Sequence, residues 1–100
     1  MSILTTILQF IRRHDKGRID DYTTLRIVDR DSFKYKEGKR SLTFHVERLP
    51  SNPDWIIYSS SIERWDPPHD KFRIPDGRKN RIIQKVCRNF DEAGETYEVE

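Results

Sequence analysis

The strongest structural signal in the chain is a strict alternation of apolar and polar residues at positions 42–47. Leu42, Phe44 and Val46 are separated by a threonine and a histidine, and a glutamate follows them. Because successive side chains of a strand point to opposite faces, this period of two predicts a strand with one buried and one hydrated face. The alternation therefore places an antiparallel sheet at the centre of the expected fold.

The segments on both sides of this strand continue the sheet. Residues 25–29 and 33–36 are strand candidates separated by an aspartate-rich turn, and Gly38 supplies the next turn. After a break that contains two prolines, residues 55–59 resume the strand pattern. We therefore predict an antiparallel β-meander over residues 24–65.

One long helix is expected to follow the meander. Residues 66–75 hold three of the five prolines, which excludes a helix there. Asp76 is a candidate cap for a helix over residues 77–90, and Gly94 is a candidate terminator. The apolar residues of this helix share one face that should dock on the sheet: Ile82, Ile83, Val86, Cys87 and Phe90. Residues 96–99 should form an edge strand.

The amino-terminal residues predict an accessory helix over residues 1–14. Its apolar residues recur at helical spacing: Ile3, Leu4, Ile7, Leu8 and Ile11. A membrane-surface helix ending in Arg12 and Arg13 is one alternative, and the β-branched content leaves a strand open. The fold class that these elements predict is α+β, in a single domain of residues 1–100.

Composition excludes several classes of protein. With 34% hydrophobic and 36% charged residues, the 100-residue chain can form one core. A single cysteine excludes an internal disulfide framework and a cysteine-based zinc site. No apolar run has the length of a membrane span, and no secretory signal is evident. We therefore expect a cytoplasmic protein that does not bind a membrane.

Charge is distributed unevenly along the last quarter of the chain. Residues 77–90 carry five bases and no acid, whereas residues 91–100 carry five acids and no base. Arg81, Lys85 and Arg88 fall on one stripe of the predicted helix, which favours contact with an acidic protein or with nucleic acid. The alternative is a solvated face partly neutralised by the acidic tail. Because that tail would repel phosphates, nucleic acid is the less favoured partner.

A loop that contains a tryptophan, two prolines and a histidine is the second candidate for a binding surface. Residues 65–70 have the sequence Trp-Asp-Pro-Pro-His-Asp. Proline lowers the entropy that a loop loses on binding, so Trp65 could act as an interface anchor with His69 beside it. In the alternative, Trp65 caps the core while the prolines turn the chain away.

Motifs of catalysis are not found in the sequence. His14, His45 and His69 lie in three different predicted elements, and no phosphate-binding or dinucleotide-binding glycine loop is present. The acidic and histidine positions of residues 66–70 match no metal signature. We therefore expect no catalytic residue, no metal and no cofactor.

Several segments of the chain carry a resemblance to a known bacterial family. They are residues 33–40 (Phe-Lys-Tyr-Lys-Glu-Gly-Lys-Arg), a strand ending near Glu47, residues 58–69 (Tyr-Ser-Ser-Ser-Ile-Glu-Arg-Trp-Asp-Pro-Pro-His) and the helix that includes Arg81. Over about residues 25–99 the chain is similar to immunity protein 74, whose members are thought to accompany polymorphic toxin systems. The resemblance implies a non-catalytic protein that binds and blocks a cognate toxin.

The resemblance brings no known binding residues, so the expected contact residues come from charge and loop chemistry alone. They are Trp65, His69, Arg81, Lys85 and Arg88. Two other functions stay open. One is a nucleic-acid-binding module that uses the basic helix face, and the other is a homodimer in which the amino-terminal stripe pairs with its twofold mate.

Overall fold

The computed structural model of the protein describes residues 18–20 and 22–100. The helix predicted over residues 1–14 lies outside the described residues. The strands of the described part are β1 (Arg18–Asp20), β2 (Thr23–Asp29), β3 (Ser32–Glu37), β4 (Arg40–Arg48), β5 (Trp55–Ile57) and β6 (Tyr97–Val99). Helix α1 spans Asp76–Glu92, and a short 3-10 turn spans Ser59–Ser61.

The six strands form one sheet in sequence order, from β1 to β6. All neighbours pair antiparallel up to β5, and the register places Leu25 opposite Tyr35 and Tyr35 opposite Leu42. Strand β6 pairs with β5 in parallel, because α1 lies between them in the chain and carries it back to the same end of the sheet. The α+β fold class with a meander, one long helix and a carboxyl-terminal edge strand is confirmed.

The core lies between one face of the sheet and α1. Phe33 is central to it: its ring centroid lies 5.4 Å from that of Trp55 and 5.7 Å from that of Phe90. The helix face predicted from spacing is the one that packs here, with Ile82, Val86 and Phe90 buried and Ile83 and Cys87 partly buried. Burial of large apolar and aromatic side chains is therefore the main stabilising term of this sheet–helix packing.

The amino terminus of α1 differs from the predicted cap. Asp76 is the first helical residue, and Pro75 occupies the N-cap position without a side-chain hydrogen bond. The backbone amide of Lys79 donates to the Pro75 carbonyl at 2.9 Å, which starts the helix one residue earlier than expected. Asp76 still places a carboxylate in the first turn, where the helix dipole favours negative charge.

The carboxyl terminus of α1 confirms the predicted glycine stop. Gly94 adopts a φ of 73°, a conformation that glycine reaches without strain. Its amide donates to the Asp91 carbonyl and the Glu95 amide donates to the Phe90 carbonyl, both at 3.0 Å. This pair of bonds is the Schellman motif, which ends the helix and turns the chain toward β6.

Beyond the short β5, the free edge of β4 is covered by the segment that leads to the proline-rich loop. The His45 amide donates to the Ser61 hydroxyl at 2.8 Å, and the Asp66 amide donates to the Ser41 carbonyl at 2.7 Å. These bonds carry the chain back along β4 to its first residues. The loop over residues 66–75 therefore starts beside the β3–β4 hairpin and ends at the first turn of α1.

Candidate partner-binding site

Trp65 is buried rather than displayed. Only 6% of its surface is exposed, and its ring centroid lies 6.4 Å from that of Tyr35 in the core. The bond from the Asp66 amide to Ser41 holds the chain against β4 and directs the indole inward. This burial supports the alternative in which Trp65 caps the core, and it corrects the idea of a protruding tryptophan anchor.

A groove of about 460 Å³ opens beside Trp65. It is formed by the start of β4, the loop over residues 66–75 and the first turn of α1. The lining residues are Arg40, Trp65, Pro68, His69, Lys71, Phe72, Arg73, Ile74, Pro75 and Arg78. Four of these are bases and none is an acid, so we call this feature the basic groove. Its positive charge favours an anionic partner.

Two guanidinium groups lie over the Trp65 ring. The Cζ atoms of Arg40 and Arg78 are 5.9 Å and 5.7 Å from the ring centroid, within the range of cation–π attraction. Arg78 also donates from Nη2 to Glu37 Oε1 at 2.6 Å. No carboxylate among residues 18–20 and 22–100 lies within 4 Å of Arg40. Arg40 is therefore oriented by the indole while its hydrogen-bond donors stay available to a partner.

Phe72 is the exposed aromatic of the groove. It is 73% exposed, and Lys71 Nζ lies 5.4 Å from its ring centroid. The end of the loop next to α1 is held in place, since the Ile74 amide donates to the Glu63 carbonyl at 2.9 Å. A large aromatic side chain held outward among bases has the character of an interface anchor, the role that the sequence had suggested for Trp65.

The five contact residues expected from the sequence do not meet at one place. Trp65 and His69 both line the basic groove, and His69 is exposed there. Arg81 and Arg88 are exposed on α1, and neither lines the groove. Lys85 is half-buried, and its ammonium group forms contacts within the fold.

Lys85 pairs with carboxylates of the sheet. Its Nζ lies 3.2 Å from Asp20 Oδ2 and 3.7 Å from Glu37 Oε2, and it donates to Thr23 Oγ1 at 3.4 Å. These groups line a second depression of about 490 Å³. Lys85 therefore ties α1 to β1–β3 and offers less charge to a partner than Arg81 or Arg88 does.

Glu37 connects the groove to this helix contact. Its carboxylate accepts hydrogen bonds from Arg78 and, at 2.5 Å, from the Tyr35 hydroxyl. Burial alone would raise the pKa of Glu37, but the Tyr35 bond and the charges of Arg78 and Lys85 outweigh it and lower that pKa. Burial and the neighbouring Glu37 raise the pKa of Tyr35 far above its ordinary value. Glu37 is thus a stable anion that fixes Arg78 over Trp65.

The acidic tail does not neutralise the basic groove. Arg78 and Lys85 pair with carboxylates of the sheet, whereas the tail follows the far end of α1 and pairs with β5. Along a helix axis, Arg78 and Asp91 are separated by about 20 Å. That distance exceeds the screening length of about 8 Å at physiological salt. The alternative of neutralisation by the tail therefore fails at this end of the helix.

Groups with catalytic or metal-binding chemistry are sparse in the described part of the chain. Within residues 18–20 and 22–100, no cluster of three His, Cys, Asp or Glu side chains could hold a metal ion. Burial raises the pKa of the Cys87 thiol, which favours its unreactive protonated form. No helix in the same residues is both long and apolar enough to span a bilayer.

Sequence reasoning missed four residues of the groove. Arg40 belongs to a hairpin, and its stacking on Trp65 depends on a contact between distant parts of the chain. The run Lys71, Phe72 and Arg73 carried a signal, because an aromatic between two bases within a proline-bounded loop has no partner in the local apolar pattern. Arg78 was recognised only as one of five helix bases.

Comparison with known proteins identifies the family. A family model described as immunity protein 74 matches residues 25–100. The chain belongs to the immunity protein 74 family. The match runs from β2 to the last residue and includes the basic groove, and it confirms the resemblance predicted over about residues 25–99. No curated protein and no solved structure matches the chain. Membership indicates a role in neutralising a toxin, in a family that is generally non-catalytic.

Proposed function

We propose that this immunity protein neutralises a cognate toxin in the cytoplasm of the producing cell by binding it, without catalysis. The observation that carries the proposal is the basic groove, where the exposed Phe72 stands among four bases with no acid in the lining. Family membership supplies the class of partner, and the groove supplies the contact chemistry.

The groove suits a toxin surface that combines carboxylates with an apolar recess. Phe72 would fill the recess, since aromatic side chains dominate the binding energy of most interfaces. Arg40 would bind a carboxylate through its planar set of donors. His69 would contact the toxin at the rim of the groove. Trp65 acts indirectly, because it orients the two guanidinium groups that lie over its ring.

The exposed side of α1 extends the proposed contact. Arg81 and Arg88 would add favourable charge at the rim of the interface, where such charges act mainly on association rate. Lys85 would act indirectly, since it holds Glu37, which in turn holds Arg78. Neutralisation then follows from occlusion of the toxin surface.

The test is protection of cells that express the cognate toxin domain. Phe72→Ala and Arg40→Glu should each weaken binding of the purified toxin domain by about tenfold or more and reduce protection. Tyr22→Ala is the matched control for the first, because Tyr22 is 78% exposed and lies outside the groove. Arg30→Glu is the matched control for the second, since Arg30 is an exposed base of the β2–β3 turn. Full protection by folded Phe72→Ala and Arg40→Glu variants would remove the groove from the interface.

Nucleic-acid binding is the second candidate, because the acidic tail lies too far away to neutralise the groove. An aromatic side chain among bases is also a pattern of single-stranded nucleic-acid sites. This candidate predicts retardation of a single-stranded RNA whose affinity falls steeply with salt. An RNA affinity that does not change with salt, or no retardation in low salt, eliminates it.

The homodimer expected from the amino-terminal stripe concerns residues outside the described part of the chain. Light scattering on the full chain and on a variant lacking residues 1–14 tests it. A dimer mass that falls to that of a monomer on deletion would support the pairing, and an unchanged mass would refute it.

A further inference from the structure

The face of β2–β4 that points away from α1 carries a second concentration of positive charge. Leu25, Phe33 and Tyr35 point into the core, so their neighbours in the alternation point outward. At the end of the sheet near the β3–β4 hairpin, the outward polar residues are Thr24, Arg26, Lys34, Lys36, Ser41 and Thr43, which we call the open face. Ser32, His45 and Glu47 also point outward, but they lie toward the opposite end, beside the β2–β3 turn. Three bases and one threonine of this face enclose a small depression of about 200 Å³.

The arrangement of these bases opposes folding stability. Arg26 lies directly opposite Lys34 in the β2–β3 register, and Lys36 is diagonal to Arg26. Like charges placed opposite one another across two strands are destabilising. An acid in one of these positions would make the sheet more stable. Folding stability therefore does not account for the three bases, and a binding function would.

Little of this charge is neutralised within the described residues. Asp66 Oδ2 lies 3.8 Å from Lys34 Nζ, and the same oxygen accepts from the hydroxyls of Ser41 and Thr43 at 3.3 Å. No carboxylate of residues 18–20 and 22–100 lies within 4 Å of Arg26 or Lys36. The open face therefore keeps a net positive charge that an external anionic group can meet.

The chemistry of the open face favours carboxylates of a protein over nucleic acid. Its side chains are bases and hydroxyls, and it has no aromatic ring on which a base could stack. Side chains two positions apart on a strand are separated by about 7 Å, so Lys34 and Lys36 match carboxylates at alternate positions of an extended segment. The Thr24 hydroxyl, which lies beside the bases, can donate to the same carboxylates.

We infer that the open face is a second contact surface, which receives an acidic surface of a protein partner. This inference rests on the proposed function, since the partner would be the toxin. The two surfaces then have separate roles. The basic groove, with its aromatic anchor, slows dissociation, and the open face accelerates association through long-range attraction.

Two defined probes test the inference on the full chain by nuclear magnetic resonance titration. One is a peptide of about 12 residues that alternates glutamate and threonine, and the other is a DNA duplex of about 12 base pairs. We expect the peptide to shift the amides of β2–β4. The variant Lys36→Glu should weaken peptide binding by about tenfold or more, and Arg30→Glu, with the same charge change elsewhere, by less than about threefold.

Two results would overturn the inference. One is peptide affinity that is the same in Lys36→Glu and in Arg30→Glu, with both variants folded. The other is a DNA duplex that shifts the open face and binds it more tightly than the peptide. If either occurs while Phe72→Ala abolishes protection, the second surface is refuted and the proposed function stands. If the peptide result holds while Phe72→Ala protects fully, the groove is refuted and the open face stands.

Discussion

The protein contains two sites where arginine lies over a buried tryptophan, and they differ in what surrounds the guanidinium group. Arg48 Cζ is 5.4 Å from the Trp55 ring centroid, and Arg40 Cζ is 5.9 Å from that of Trp65. Both indoles are buried in the same core. The pairs therefore have the same chemistry at nearly the same distance, but Arg48 uses its donors within the fold, whereas Arg40 faces the basic groove.

The Trp55 site is closed by backbone. Arg48 Nη1 donates to the carbonyls of Leu49 and Asp54 at 3.0 Å and 2.8 Å, and it approaches Asp54 Oδ1 at 3.3 Å. Asp54 in turn accepts from the Thr96 amide at 3.0 Å, which connects this turn to β6. Because its hydrogen bonds are used within the protein, Arg48 stabilises the fold.

The Trp65 site has its guanidinium groups at a groove. Arg78 is held by Glu37, and Arg40 is positioned by the indole alone among the described residues. An arginine that lies over a tryptophan ring stabilises the fold when backbone carbonyls accept its hydrogen bonds, as at Trp55. When the loop beside the pair leaves the donors exposed, as at Trp65, the same pair has donors available for the partner contact that we propose.

The largest expected effect is that of Trp55→Ala, which tests whether the closed site supports the fold. The Trp55 ring packs against Phe33 and Phe90, so its loss should lower the free energy of unfolding by about 3–5 kcal/mol. Chemical denaturation measures the change. Tyr22→Ala is the control and should change stability by less than about 0.5 kcal/mol. Equal stability losses in the two variants would contradict the packing of Trp55 against Phe33 and Phe90.

Arg48→Ala should have the second-largest effect. It leaves the Leu49 and Asp54 carbonyls without a charged donor and should lower the free energy of unfolding by about 1.5–3 kcal/mol. Arg48→Lys keeps the charge but not the planar set of donors, so its loss should be smaller. Denaturation of both variants gives the measurement, and a neutral Arg48→Ala would show that the closed site does not stabilise the turn.

Glu37 and Asp54, the acids that contact Arg78 and Arg48, should make a third and smaller contribution to the free energy of unfolding, and this contribution depends on pH. The pKa of Glu37 is lowered despite its burial, and hydrogen bonds from Thr96 lower the pKa of Asp54. A lowered folded-state pKa gives stability that is present above the ordinary value, about 4, and is lost as the pH falls through the folded-state pKa. Glu37→Gln and Asp54→Asn should each reduce the loss of stability between neutral and acidic pH. Denaturation curves across this range test it, and slopes equal to wild type would contradict it.

Arg40→Ala should have the smallest effect on stability and a large effect on function. Its contact with Trp65 is a partly exposed cation–π pair, so the free energy of unfolding should fall by about 1 kcal/mol or less. Protection against the toxin domain should fall nevertheless, because the proposed contact loses its available guanidinium group. A variant that loses stability and keeps protection would reverse the roles assigned to the two arginines.

The elements of the fold could be predicted from the sequence where a local pattern defines them. The alternation at residues 42–47 predicted β4, and the spacing of apolar residues predicted α1 within two residues at each end. Gly94 ended the helix as expected. The error at Asp76 is local as well, since the chain enters α1 through Pro75 and the helix begins one residue earlier than predicted.

The candidate site could be predicted only in part. The proline-rich loop and the helix bases were recognised as binding chemistry, but Trp65 faces inward and Phe72 faces outward. No local period distinguishes these two aromatics, because both lie outside regular strands and helices. Lys85 looked like one member of an exposed stripe, and its carboxylate partners come from strands far away in the chain.

The sequence by itself determined β2–β5, the helix and its buried face, because each depends on neighbours within a few residues, whereas β1 lies outside the predicted meander. Only the tertiary structure decided the parallel pairing of β6, the burial of Trp65 and the basic groove. These features depend on contacts such as Asp66 with Ser41, 25 residues apart, and Arg78 with Glu37, 41 residues apart. The physical reason is that such contacts join residues far apart in the chain. The local spacing of apolar and polar side chains therefore does not predict them.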